Sequence, residues 1–192
     1  MGMNLAGVLQ RSEVLHTRDA IESAIRRMGV DIARDYAGER PVFLTVMHGA
    51  LPFAGLLALE VGAADAARGA VDLEFDYVHA TRYRGDTRGH ELHWLRRPEV
   101  DLTGRRVLLV DDILDEGHTL AAVRDWCAAQ GAADVRIAAL AVKRHDRCVP
   151  GLAADYAGLD VPDRYVFGFG MDIHEQGRQL PSIYALREDA DD

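Results

Sequence analysis

Residues 106–110, Arg-Val-Leu-Leu-Val, form a continuous apolar β-run that leads straight into Asp111 and Asp112. A run of this kind marks a strand covered on both faces, the pattern of a parallel sheet. Residues 119–130 then carry Leu120, Val123 and Trp126 at helical spacing, with Gly131 as the stop. A second buried strand reads at 135–142. Strand, loop, helix, strand is a βαβ unit with a right-handed crossover. The rest of the chain agrees with an α/β class, a parallel sheet flanked by helices. Ile21, Ala24, Ile25, Met28 and Ile32 predict a helix over 18–36, capped by Thr17. A β-rich stretch follows Pro41 at 42–47, and 52–61 reads as helix. Alternation predicts a strand at 71–79 with a hairpin partner at 91–95, and the polar, glycine-bearing segment 82–89 between them reads as a long mobile loop. Short strands are expected at 154–158 and 165–168. The expectation is one domain over 1–192, with a small hood made by about 150–186, with or without N-terminal residues; residues 1–16 receive no assignment.

A chain of 192 residues that is 48% hydrophobic buries enough surface to fold without disulfides or metals. Its apolar runs, such as 107–110 and 137–142, are far too short to span a bilayer, and no signal-peptide pattern opens it. Cys127 and Cys148 are expected as free thiols of a reducing compartment, so a cytoplasmic location is expected. The net charge of −9 argues against a general nucleic-acid binder, which carries a basic face. Local arginine clusters at Arg82, Arg84 and Arg88, and at Arg144 and Arg147, suit a small anionic ligand instead.

Residues 107–120 carry the chemistry. The buried strand delivers Asp111 and Asp112 to its carboxyl end, the edge where open α/β sheets bind ligands. Asp115 follows at the turn, and residues 116–119 enter a helix. Unpaired N–H groups and the helix dipole there favour a phosphate. Gly117 is expected to let the backbone approach that phosphate, and Thr119 to add a hydroxyl donor. A phosphate cradle beside hydrogen-bond-accepting carboxylates meets the demands of a ribose 5-phosphate. Neither a Walker loop nor a Gly-x-Gly-x-x-Gly turn occurs. A helix-capping acidic loop is the bland alternative, but strand, paired acids, glycine and threonine coincide at fixed offsets. A phosphoacceptor receiver domain also opens with a strand ending in paired Asp, but too little chain follows Leu120 to complete one.

The 107–120 segment is similar to the phosphoribosyl-pyrophosphate signature of the type I phosphoribosyltransferases. From about 42 to 186 the chain resembles the hypoxanthine-guanine branch, through four loops in the same order. The resemblance implies that Asp111 and Asp112 hold the ribose hydroxyls and help organise Mg2+. It implies that Asp115 is the general base, and that Glu116, Gly117, His118 and Thr119 cradle the 5′-phosphate. Lys143, in the Val-Lys-Arg stretch 142–144, would donate to the purine 6-oxygen. Tyr165 would stack on the purine, the Val166 backbone would read its edge, and Asp172 would bind metal at the base site. His48 and Gly49 stand at the pyrophosphate turn, with Arg178 as a further clamp. His48 and His118 stand where the family commonly has lysine, and the flap carries Arg82 and Tyr83 in place of Ser-Tyr. The flap arginines are expected to supply the missing charge. The implied reaction transfers a phosphoribosyl group from phosphoribosyl pyrophosphate to hypoxanthine or guanine. A xanthine-preferring enzyme and a non-catalytic RNA-binding regulator on the same fold are the alternatives. The implied partners are small molecules, with no nucleic acid and no membrane, in a homodimer or homotetramer.

Overall fold

The structure, a computed structural model, describes residues 4–64, 70–82 and 92–187. Its larger sheet has six strands: β2 (Val42–Val46), β3 (Glu74–Arg82), β4 (Leu92–Arg96), β5 (Arg106–Leu114), β6 (Asp134–Lys143) and β7 (Tyr156–Val161). They lie in the order β4-β3-β2-β5-β6-β7. All neighbours are parallel except β4, which pairs antiparallel with β3 as the expected hairpin partner. Three helices cover this sheet: α2 (Arg18–Asp35), α3 (Leu51–Ala64) and α4 (His118–Ala129).

Strand β5 shows why an apolar run of this type needs cover on both sides. Leu108 and Val110 pack with Ile25, Phe53 and Leu57 of α2 and α3. Val107 and Leu109 pack with Leu120, Val123 and Cys127 of α4. Trp126, expected inward, is only half-buried, and Cys127 takes the core position instead. Strand β5 also runs past 110, through both aspartates to Leu114, because β6 continues to pair with it up to Leu114↔Val142. Helix α2 starts at the expected cap, with the Ala20 N–H donating to Thr17 Oγ1.

The expected hood needs a correction. Residues from 150 onward were assigned to it, but β7 extends the main sheet by pairing with β6. The physical reason is burial: Tyr156 and Val161 are covered by the α2 side of the core. The small sheet is instead β1 (Ser12–His16), β9 (Ile183–Leu186) and β8 (Val166–Phe167), antiparallel and in that order. With α1 (Leu5–Gln10) it encloses its own apolar cluster of Val8, Phe167 and Ile173. Of the N-terminal residues that have no sequence assignment, 12–16 thus form a strand of this second sheet and 5–10 a helix that shares its apolar cluster. Among the described residues no helix is long and apolar enough to cross a membrane.

A polar clamp ties the end of α2 to β6 and β7. The Tyr156 hydroxyl donates to Asp35 Oδ2 at 2.9 Å, and Arg136 Nη1 donates to the same carboxylate at 3.1 Å. Burial raises the Asp35 carboxyl, but the Tyr156 hydroxyl, Arg34 and Arg136 outweigh it and hold it below its ordinary value. Tyr156→Phe is expected to cost about 1 kcal/mol at neutral pH, read by urea unfolding. A carboxyl with a lowered folded-state pKa stabilises above its unfolded-state value of 3.8 and loses that contribution as pH falls through the folded value. The gap between wild type and variant therefore narrows in acid, and a gap independent of pH would show that the hydroxyl does not act on Asp35.

Candidate active site

The strand order reverses between β2 and β5: the chain leaves β2 toward β3 on one side and continues from β5 toward β6 on the other. A crevice opens at the carboxyl ends of strands at such a switch point. Here it is a cavity of about 480 Å3 lined from six directions. The turn after β2 supplies His48 and Gly49, β3 supplies His79, and β5 supplies Asp111 and Asp112. The next turn and α4 supply Asp115, Gly117, His118 and Thr119, and β6 supplies Lys143. The C-terminal segment closes it with Tyr165, Val166, Asp172 and Arg178.

Residues far apart in sequence thus share one cavity, including most of those expected. Glu116 is the exception in the cradle: it does not line the cavity. Its carbonyl accepts the Val149 N–H at 2.9 Å, and its carboxylate lies 3.9 Å from Arg147 Nε and 3.7 Å from His118 Nε2. Those contacts draw it toward the loop after β6. Of the flap residues, Arg82 ends β3, while Tyr83 lies outside the described residues, as do Arg84 and Arg88. Tyr165 and Phe167, which strand alternation would put on one side, separate. Strand β8 begins only at Val166, Tyr165 stays exposed with its ring stacked 6.4 Å from His174, and Phe167 is buried.

The cradle works through backbone. Asn4 caps α1 and Thr17 caps α2 with side-chain oxygens, whereas α4 starts at Gly117 with no side-chain cap. Gly117, His118, Thr119 and Leu120 line the cavity, so the positive end of the α4 dipole stands at its wall. Gly117 is required for another reason than the one expected. It has φ +79°, and a Cβ there would lie 2.3 Å from Leu152 Cδ2 and 2.9 Å from Leu114 Cδ1. The missing side chain makes room for core packing behind the turn, rather than for a ligand in front of it.

Two carboxylates dominate the electrostatics. Asp111 and Asp112 are buried at the cavity wall, and the Asp112 N–H donates to Asp111 Oδ1 at 3.0 Å. Burial and the neighbouring Asp112 push the Asp111 carboxyl well above the carboxylate range. Burial also raises Asp112, against the opposing hydrogen bond from Asp111 and the charge of Arg178. The turn after β2 closes directly on this pair, since a Cβ at Gly49 would stand 1.9 Å from Asp112 Oδ2. Beside it the rings of His48 and His79 meet edge-on at 4.4 Å, and burial with the nearby His48 lowers His79. The Met47–His48 peptide is cis.

Asp115 is held from two sides, by Lys143 Nζ on Oδ2 at 2.7 Å and by His145 Nε2 on Oδ1 at 2.6 Å. Burial raises its carboxyl, but the hydrogen bonds from Lys143 and His145 prevail and hold it below its ordinary value. Asp172 accepts Arg178 Nη2 at 2.6 Å and the Glu175 N–H at 2.8 Å. Arg178 also donates to the Gly170 carbonyl at 2.7 Å. Among the described residues no three His, Cys, Asp or Glu side chains converge as a metal-holding group, so Asp111, Asp112 and Asp172 do not form a three-ligand set in this conformation. The reason is local: Asp172 is engaged by Arg178 and by its own loop. His79 and His145 were not singled out from sequence. His79 closes the expected 71–79 strand and His145 stands two residues beyond Lys143, so strand-end position was the available signal.

Residues 12–176 match the family model described as phosphoribosyl transferase domain. A hypoxanthine-guanine phosphoribosyltransferase of Streptococcus pneumoniae is 33% identical over 178 residues, covering 92% of this chain and 94% of that protein. The fold is similar to that of a hypoxanthine phosphoribosyltransferase from Staphylococcus aureus, with a TM-score of 0.85 at 26% identity and coverage of 100% of both chains. It is also similar to a Bacillus anthracis hypoxanthine-guanine phosphoribosyltransferase with a HEPES molecule in its active site, with a TM-score of 0.81 at 27% identity, covering 91% of this chain and 98% of that one.

Gly117→Ala tests the packing argument. The positive φ and the Leu152 contact together should cost about 1–3 kcal/mol of stability. Chemical denaturation reads the loss, and an unchanged midpoint would mean that the turn tolerates a side chain on its buried side.

Proposed function

This chain belongs to the phosphoribosyl transferase family, and on that premise we propose that it serves purine salvage as a hypoxanthine-guanine phosphoribosyltransferase. It transfers the 5-phosphoribosyl group of phosphoribosyl pyrophosphate to hypoxanthine or guanine, giving IMP or GMP and pyrophosphate. The observation that carries the reading is the junction of an uncapped helix start with four carboxylates and one lysine around a single cavity. A purely structural turn has no need of two buried aspartates side by side.

The 5′-phosphate sits on the N–H groups at the start of α4, with the Thr119 hydroxyl beside it. Asp111 and Asp112 accept hydrogen bonds from the ribose hydroxyls. Arg178 and the backbone after β2, at His48 and Gly49, receive the pyrophosphate. The purine lies between Tyr165 and the strand ends, with its edge on the Val166 backbone. Lys143 donates to the 6-oxygen, which requires it to turn from Asp115 Oδ2 toward the base. As pyrophosphate leaves with the electrons of its C1′–O bond, the anomeric carbon gains oxocarbenium character and bonds to the purine nitrogen. Asp115 takes the proton that this nitrogen sheds, a contribution of about 10²- to 10⁴-fold. The positive charge of Arg178 favours departure.

The carboxylate pair is chemically suited to magnesium: two adjacent oxygen donors, buried and with their carboxyls raised by that burial, are the hard ligands such a cation takes. Asp111 and Asp112 would hold it; Asp172, whose oxygens are taken by Arg178 and the Glu175 N–H, would bind metal only once that pair opens. When bound, it supplies charge neutralisation for the pyrophosphate. A cytoplasmic location accords with the free thiols of Cys127 and Cys148. Assembly as a homodimer or homotetramer accords with the exposed Leu51, Phe75 and Tyr77, which border a second, apolar cavity.

An absorbance assay with phosphoribosyl pyrophosphate, magnesium and each purine in turn tests the reading. Hypoxanthine and guanine should be consumed; use of adenine alone would overturn it, because a lysine donor suits a 6-oxygen and not a 6-amine. Asp115→Asn should lower turnover by at least about tenfold, with modest loss of phosphoribosyl-pyrophosphate affinity. Near-normal turnover would remove Asp115 from the base role.

A further inference from the structure

His145 has no part in the reaction as written, yet it is the most enclosed group around Asp115. Its side chain is 3% exposed, against 42% for Asp115 and 12% for Lys143. Its Nδ1 accepts the Arg147 N–H at 3.1 Å. A ring nitrogen that accepts carries no proton, so the proton of the neutral imidazole is on Nε2. Nε2 is the atom 2.6 Å from Asp115 Oδ1, and His145 therefore donates to it. Lys143 occupies the other oxygen, Oδ2, at 2.7 Å.

The two partners differ in what they can give up. Lys143 and Asp115 both line the large cavity, whereas His145 does not. His145 lines instead a smaller cavity of about 290 Å3 with Cys148 and Leu152, which Asp115 and Lys143 border on their other side. A purine entering the large cavity draws Lys143 to its 6-oxygen and leaves Oδ2 bare. Nothing in the cavity competes for His145. We propose that His145 is the positioning residue for Asp115: it anchors Oδ1 from the buried side, so that Oδ2 stays aimed at the purine nitrogen after Lys143 departs. The inference rests on the reading of Asp115 as the base. The loss of Lys143 also removes one of the donors that hold the carboxylate in its charged form, which strengthens it as a base at the moment the proton must move. The other charged groups facing this cluster are Arg147 and Glu116 near Asp115, and Asp163 near His145 and Lys143.

The test compares His145→Leu, His145→Gln and Asp115→Asn. The glutamine amide can replace the Nε2 donor, and leucine cannot. In His145→Leu, kcat should fall about tenfold while KM for phosphoribosyl pyrophosphate stays within about twofold. Removing a donor to the carboxylate raises its pKa, so the acid limb of the kcat profile should move to higher pH. His145→Gln should restore most of kcat and return the limb toward its wild-type position. If Asp115→Asn is impaired but His145→Leu keeps both kcat and acid limb, the positioning role is overturned while the base role stands. If Asp115→Asn is near normal, the base role itself fails. A measurement on the unaltered protein covers the case in which His145→Leu does not fold. The NMR shift of the His145 Nε2 proton should follow the titration of the Asp115 carboxyl, and independence of the two would overturn the proposal.

Discussion

The parallel pairing of β2 with β5, Val42↔Val107 through Thr45↔Val110, is the contact on which the site depends. It joins segments more than sixty residues apart and brings both strands to the same edge. Without it the turn at His48 and Gly49 would have no fixed relation to Asp111 and Asp112. With it, the turn lies so close that Asp112 Oδ2 fills the space of a Gly49 side chain. The hydrogen-bonded ladder of this pairing is covered by apolar side chains on both faces. Val42, Leu44, Val107 and Leu109 pack on the α4 side, and Phe43, Leu108 and Val110 on the side of α2 and α3. Each such side chain contributes on the order of 1.5–3 kcal/mol when fully buried.

That core supports groups that are costly by themselves. Two buried carboxylates share a wall, their carboxyls raised by burial, and a helix start without a side-chain cap stands beside them. Buried, raised carboxylates gathered at one cavity are a pattern that clusters at functional sites. Away from it, charges are paired or hydrogen-bonded in ordinary ways. Asp35 is held by Tyr156 and Arg136, Asp76 by Arg96 and the N–H groups of Glu99 and Val100. The contrast separates groups kept for stability from groups kept for chemistry.

Much was legible beforehand because local patterns agreed with global ones. The apolar periodicity of α2, its Thr17 cap and the βαβ succession at 106–143 are properties of short segments, and tertiary packing did not override them. That Asp111, Asp112, Asp115 and residues 117–119 line one cavity was legible for the same reason, since strand, carboxylates and helix start are contiguous. Misreadings arose where a partner strand or neighbour decided the outcome. Strand β7 was assigned to the hood because its edge position on the main sheet depends on β6. Gly117 was credited with ligand access, although its buried neighbours Leu114 and Leu152 account for it. His79 and His145 went unremarked because one histidine at a strand end has no local signature until another element meets it.

The sequence alone determined the α/β class, the order of most elements, the succession of strand end, carboxylates and helix start at 111–119 and, through resemblance, the family. Those are consequences of hydrophobic period, turn chemistry and motif spacing, all short-range. Only the tertiary structure decided that residues 12–16 and 183–186 form one small sheet, that His48 meets His79, and that Asp115 is held by a lysine on one oxygen and a buried histidine on the other. These are pairings between groups distant along the chain, and their geometry exists only once the strands between them have found their register.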